Sequence, residues 1–287
     1  MSLLRDRMSR DMERAGLAVR TRSKYIAAIA QMAGFFGRSP DRLGPDDIRA
    51  WDDELRRRDL SPGELGIQVA AQMFLYRRTL GRPEMVSFLS FSRPRRELPI
   101  VLSMDEAFRI LAAIRDPRYR TFFALLFDTG LRISEGADLK VGDIDRGCGV
   151  IHVRHGKGDK ERLVKLGDRL YEMLRAHWQA VRMADPHAEP LSQDSLLFTS
   201  RAGTRVCFTT LRRALELAVQ AAGITKPVTA HTMRHSYATT QLESGTDIRV
   251  VQAQLGHANI SSTQIYTRVS TCLIREAPSP LDSMPPP

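Results

Sequence analysis

Through the first 82 residues apolar side chains recur every three or four positions, the spacing that gathers them on one face of an α-helix. In RTRSKYIAAIAQMAGFFG, Tyr25, Ile29, Met32 and Phe36 keep this spacing, with Thr21 as the expected N-cap and Gly37 as the expected stop. GPDDIRAWDDELRRR opens on acidic residues, which suits the positive end of a helix, and carries Ile48, Trp51 and Leu55 as its apolar stripe. SPGELGIQVAAQMFLYRRTLG predicts a further helix ended by Gly81 and Pro83. With a segment at 3–15, the first region reads as a bundle of about four helices.

The pattern breaks at RPEMVSFLSFSRPRRELP, which is basic, holds Pro83, Pro94 and Pro99, and has no clear period, so 83–102 reads as a linker. A second unit begins at Ser103, where Ser103 and Glu106 form an S-x-x-E capping box before an apolar helical run. Phe122, Phe123, Leu125 and Leu126 lie on the next helix, followed by a turn at Thr129-Gly130. The period then changes from helical to two-residue: GVIHVRHGKGDKERLVKLGD alternates apolar and polar residues on both sides of Gly-Lys-Gly-Asp, the pattern of a β-hairpin with Lys157 at its tip. Helices resume at DRLYEMLRAHWQAVR and TTLRRALELAVQAAG, and 229–275 reads as short helices punctuated by Gly245 and Gly256. The end, APSPLDSMPPP, is Pro-rich. The expected fold is mainly α with a small β-sheet: an N-terminal helical domain over 1–82, the linker 83–102, an α+β domain over 103–275 and a tail over 276–287.

Composition narrows the partner. Lys plus Arg number 43 against 33 Asp plus Glu, a formal charge of +10. That surplus favours a polyanion, either nucleic acid or an anionic membrane surface. Lysine occurs only at 24, 140, 157, 160, 165 and 226, so half of the lysines fall between 157 and 165. Cys148, Cys207 and Cys272 are scattered, with no CxxC pair and no disulfide framework, which fits a reducing cytoplasm. No run approaches the ~20 apolar residues of a membrane span, and the N-terminus lacks the apolar core of a signal peptide.

The charged residues of the second unit carry the candidate chemistry. TGLRISE puts Arg132 at a turn entering a helix. HTMRH puts His231 and Arg234 three apart, on one helix face. LGH puts His257 just past a helix-ending glycine, and STQIYTRV puts Tyr266 on a short helix for which Ser261 or Ser262 is a candidate cap. HTMRH has Thr232 where a zinc protease needs its glutamate, and His152 and His155 fall on opposite faces of a strand, so neither pattern makes a metal site.

At TGLRISE, HGKGDKER, HTMRHSYAT and LGHANISSTQIYTRV, in this order, the chain resembles the tyrosine recombinase (phage integrase) family, which includes the Xer-type recombinases. The resemblance spans roughly 98–275, and the N-terminal part is similar in being a small helical, SAM-like domain of suitable length. It implies a site-specific recombinase that cuts and rejoins DNA through a covalent 3′-phosphotyrosine. Arg132 and Arg234 would hold the non-bridging oxygens of the scissile phosphate. Lys157 would be the general acid for the leaving 5′ oxygen, His231 a base or hydrogen-bonding group, His257 a donor to a phosphate oxygen, and Tyr266 the nucleophile. Lys160 and Lys165 are alternatives for the acid; Lys157 is preferred because it lies between two glycines at the tip. The sequence departs from the family's usual residues at Gly136-Ala137, Lys165 and Ser236.

The chemistry asks for such groups. A tyrosine hydroxyl titrates near ~10, so about one in a thousand is ionised at neutral pH, and it needs cations or a base to become a nucleophile. A phosphodiester repels a phenolate, and two fixed guanidinium groups offset that repulsion. The 5′ alkoxide needs a proton donor. Arginines would take the electrostatic role of a metal, and the phosphotyrosine would conserve the bond energy, so no metal, ATP or other cofactor is expected. The resemblance further implies duplex DNA carrying a specific site as partner and a tetramer on DNA, with 269–275 docking on a neighbouring subunit through Leu273 and Ile274. Two other readings are a type IB topoisomerase of the same chemistry and a non-catalytic DNA-binding relative.

Overall fold

The computed structural model describes residues 3–91, 99–154, 161–184, 192–200 and 202–256, with the side chains of 182 and 184 left aside. The chain divides into two compact units, Met1–Arg96 and Glu97–Pro287.

In the first unit the described helices are α1 (Leu3–Arg14), α2 (Val19–Phe36), α3 (Pro45–Arg57) and α4 (Pro62–Phe74), the last running on into a π-helical turn at Leu75–Thr79. α4 starts on a reciprocal cap: the Glu64 N–H donates to Ser61 Oγ and the Ser61 N–H to Glu64 Oε2. Met8, Met12, Ile29, Met32, Ile48, Trp51 and Leu55 fill the core, so the predicted stripes of α2 and α3 face inward. Tyr25 and Phe36 pack against that core from its edge. Gly37 ends α2 in the left-handed conformation at φ 60°, as its position predicts. Thr21 is not the cap. α2 begins at Val19 behind Ala18, immediately after the turn that Gly16 makes at φ 70°, and its first turn makes no side-chain cap bond. Residues 83–91 differ from a plain linker: Pro83–Val86 forms a 3-10 turn, and Met85, Val86 and Leu89 are buried in the first core.

The second unit is built around α6 (Pro117–Thr129), on which Phe122, Phe123, Leu125 and Leu126 are all buried. α5 (Met104–Ala113), α8 (Asp168–Ala184) and α10 (Ala230–Glu243) pack against it. The Ser103–Glu106 capping box opens α5: the Glu106 N–H donates to Ser103 Oγ and the Ser103 N–H to Glu106 Oε2. Around these lie α7 (Ile133–Asp138), α9 (Phe208–Ala221) and α11 (Ile248–Leu255). An antiparallel sheet of order β1-β2-β3 covers one side, from β1 (Ile144–Asp145), β2 (Val150–Val153) and β3 (Arg162–Lys165). Val153 pairs with Arg162 and His152 with Leu163. The hairpin therefore forms where the two-residue alternation predicts it. Its tip, 155–160, lies outside the described residues, as does everything from 257 onward. β1 is an addition of two residues, too short to leave a period in the sequence.

Gly136, a departure from the family's usual residues, has a packing reason. A Cβ there would lie 3.0 Å from Leu126 Cδ2 and 3.3 Å from Phe122 Cε2, so the absence of a side chain lets α7 close onto α6. Ser236 also has a defined task. Its Oγ donates to Thr232 O on its own helix and accepts the Leu102 N–H, fixing the residues just before α5 to α10. Lys165 ends β3 with its side chain exposed.

Candidate active site

The turn between α6 and α7 positions the first arginine. Gly130 takes the left-handed conformation at φ 65°, and a Cβ on it would lie 2.4 Å from Tyr237 Cδ1, so only glycine fits. Two residues on, Arg132 is the N-cap of α7. The Arg132 N–H donates to Glu135 Oε2 at 2.8 Å and its Nη1 to Glu135 Oε1 at 2.6 Å. The guanidinium side chain is 24% exposed, while the Glu135 side chain is 3% exposed. The carboxylate thus orients the arginine from beneath and leaves part of it facing outward.

Arg234 enters from α10 and is buried. Its Nη1 donates to Gly130 O at 2.6 Å and its Nη2 to Leu255 O at 2.5 Å. One guanidinium therefore ties the turn before Arg132 to the end of α11. Leu255 stands two residues before His257 in sequence, just ahead of Gly256, which caps α11 at φ 64°. His231 lies one helical turn before Arg234 on α10, exposed at the surface. Partial burial of the ring, then the charges of Arg234 and Arg132, hold its pKa below the ordinary histidine value. The shift favours the neutral imidazole, the form able to accept a proton. His235, on the next turn, meets His231 edge-on at 4.7 Å between ring centroids. Burial, then the His231 and Arg234 charges, lower its pKa to about 4.

Arg132, His231 and Arg234 are thus brought within electrostatic reach of one another. Lys157, His257 and Tyr266 lie outside the described residues. The described chain leads toward the first two: β2 and β3 flank 155–160, and α11 ends at the residue before Gly256.

Four further residues build this site and were not singled out in the sequence. Glu135 is one. Arg162 is another: Nη1 and Nη2 fork onto Glu135 Oε1 and Oε2 at 3.0 and 2.7 Å, and Nε donates to Gln254 O at 2.6 Å. Burial pushes the Glu135 carboxyl up, but hydrogen bonds from Arg162 and the Arg132 N–H, with the Arg162 charge, outweigh it and bring its pKa down to about 2. Tyr237, buried under Gly130, donates its hydroxyl to Gln254 Oε1, and burial pushes that phenol up to about 12. A signal for Arg162 existed. It falls two residues before buried Val164, on the inward face of β3, where a charge demands a buried partner.

Comparison with known proteins identifies the family. The profile of the phage integrase family matches residues 101–271, and that of the phage integrase N-terminal SAM-like domain matches residues 4–84. The chain belongs to the tyrosine recombinase (phage integrase) family. It is 34% identical to the integrase/recombinase y4qK of Sinorhizobium fredii over 100% of this chain and 91% of that protein. Among solved structures, the XerA recombinase aligns at a TM-score of 0.55 with 30% identity, over 96% of this chain and 97% of that one. The XerH site-specific recombinase, solved on its palindromic difH substrate after cleavage, aligns at 0.73 with 22% identity, over 93% of this chain and 82% of that one; at that identity the likeness is one of fold. This tyrosine recombinase is an enzyme of site-specific DNA recombination, with the mostly helical, two-unit architecture of integrases.

Proposed function

We propose that the recombinase cuts one strand of a specific duplex site by attack of Tyr266 Oη on the scissile phosphorus. The bond to the 5′ oxygen breaks and a 3′-phosphotyrosine forms. Arg132 and Arg234 hold the non-bridging oxygens, Lys157 gives a proton to the leaving 5′ oxygen, His231 takes or shares the phenol proton, and His257 donates to a phosphate oxygen. Rejoining is the reverse step with a new 5′ hydroxyl. The observation that carries this reading is the placement of His231 beside two arginines, each fixed by inward hydrogen bonds. Guanidinium groups fixed beforehand need no reorganisation as charge develops on phosphate, which is where such donors gain most.

The other tyrosines fit the nucleophile's part poorly. The chain has six: Tyr25, Tyr76, Tyr119, Tyr171, Tyr237 and Tyr266. Tyr237 lies nearest Arg234 in sequence, but its hydroxyl is engaged by Gln254 and its pKa is raised. Tyr76 donates to Pro40 O inside the first unit and is raised further. Tyr25 packs in the first core. Tyr119 and Tyr171 sit beneath the guanidinium groups of Arg118 and Arg146.

The wider reading follows the family. The helical domain over 1–82 and the domain over 103–275, joined through 83–102, clamp DNA in the cytoplasm. Four copies assemble on two sites, each docking its 269–275 segment through Leu273 and Ile274 on a neighbour. The test uses a nicked duplex carrying the site recovered from a randomised DNA pool by binding selection. The wild-type chain should become covalently attached to the nicked strand, and Tyr266→Phe should bind the same duplex without attaching. Attachment by the phenylalanine variant would remove Tyr266 from the mechanism. Relaxation of supercoiled plasmids lacking the site at the same rate as plasmids carrying it would favour a topoisomerase instead.

A further inference from the structure

Arg162 connects three parts of the catalytic unit through one side chain, and none of its bonds points to solvent. It opens β3, directly after the hairpin tip. Its guanidinium fork grips both oxygens of Glu135, the carboxylate that in turn holds the N–H and Nη1 of Arg132. Its Nε takes the carbonyl of Gln254 at the end of α11, where helix carbonyls lack partners within the helix. Gly256 is the next clamp. A Cβ there would come within 3.0 Å of Arg162 Cδ and 3.2 Å of its Nε, so the αL glycine lets the chain pass closely over the arginine stem. With its side chain 8% exposed and each of its three nitrogens bonded inward, Arg162 is turned to Glu135 and Gln254 rather than to solvent.

We propose that Arg162 is a positioning residue for the recombination reaction: its fork holds the Glu135 carboxylate in place, so that Arg132, the base of the β2–β3 hairpin and the end of α11 stay in one fixed arrangement around the scissile phosphate. This rests on the assignment of Arg132 to the phosphate. Lysine cannot replace it, because a single ammonium point charge cannot satisfy a bidentate carboxylate and a carbonyl in different directions. The groups that act on the Glu135 carboxyl are Arg162 and Arg132; Arg205, near the same helix, bonds Ser134 O and Asp138 instead. Without the fork the buried carboxylate keeps only Arg132, and protonating it releases the Nη1 anchor of that arginine.

The test compares full-length wild type, Arg162→Gln, Arg162→Lys, Glu135→Gln and the Arg162→Gln/Glu135→Gln double variant. In the DNA-free protein, the Glu135 side-chain carbon, followed by NMR, should show no titration down to about pH 4 in wild type. In Arg162→Gln it should titrate at least about one unit higher, with Arg162→Lys between the two. On the nicked duplex, Arg162→Gln should attach covalently about 100-fold more slowly near pH 6, for one lost anchor of a phosphate-binding group, while binding the duplex as wild type does. Its rate should also gain a rise over the pH range in which its own Glu135 carboxyl titrates, a rise that wild type, Glu135→Gln and the double variant lack there. A purely structural ion pair would lower the rate equally at every pH, and that outcome would overturn the proposal. So would an unmoved Glu135 titration in Arg162→Gln, or in Arg162→Lys if the glutamine variant does not fold. The carboxyl titration decides the link between Arg162 and Glu135 on protein alone. Failure of the Tyr266 assignment would appear separately, as attachment by Tyr266→Phe.

Discussion

Glu135 carries more of the site's stability than its position in a six-residue helix suggests. Its folded-state pKa of about 2 lies below the ordinary 4.5, so the folded carboxylate binds its proton less readily than the unfolded one. The stabilisation is therefore complete above pH ~4.5 and is lost as pH falls toward 2, and a shift of this size is worth on the order of 3 kcal/mol. His235 acts in a separate window. Its pKa of about 4 lies below the ordinary 6.5, so its neutral form is favoured in the folded chain, and that contribution is lost as pH falls from 6.5 through 4. Denaturant unfolding of wild type and Glu135→Gln between about pH 7 and pH 3 separates the two. The stability gap between the proteins should be constant above pH ~5 and narrow below it, while the histidine effect appears in both. A gap as wide near pH 3 as at neutrality would contradict the role given to Glu135. At this scale the sequence was partly legible. Arg132, His231 and Arg234 stand in motifs, and the structure brings them together. The partners that hold them were not legible, because Glu135 and Arg162 are 27 residues apart and nothing local pairs them.

Elements place these residues because backbone meets neighbouring side chains closely at a few glycines. α7 can press onto α6 only because Gly136 presents no Cβ to Leu126 and Phe122. Gly136→Val should therefore strain the contact, lowering stability by about 1–3 kcal/mol as small-to-large core changes do. It should also displace Arg132 at the head of the same helix. Unfolding curves and the attachment rate on the nicked duplex check both, and an unchanged midpoint with full activity would mean α7 tolerates being pushed outward. A clear apolar stripe, a capping box and a two-residue alternation made α3, α5 and the hairpin readable, since each declares itself within its own stretch of chain. The start of α2 was not, because its first turn has no capping side chain and the turn at Gly16 sets it. The burial of Met85, Val86 and Leu89 was hidden for the opposite reason: a Pro-rich, basic stretch carries three apolar residues whose common destination appears only in three dimensions.

At the scale of the molecule, the +10 charge belongs to the partner. Lys and Arg that neutralise phosphates release condensed counterions, so affinity for DNA falls as a power of salt concentration. For a recombinase making about 6–10 phosphate contacts, binding to a selected site should weaken about 10³–10⁵-fold between 50 and 200 mM salt. A slope near zero in a salt titration would show that the charge serves something else. No described helix is long and apolar enough to cross a membrane. The family and the positive charge both point to DNA as the polyanion. The account turns on where the DNA becomes attached. Wild-type protein trapped on the nicked duplex, digested with nuclease and protease and read by mass spectrometry, should yield one peptide, spanning Tyr266, with a nucleotide on its tyrosine. A nucleotide on Tyr237 or any other residue, or a Tyr266 peptide found only unmodified in a covalent complex, would contradict it.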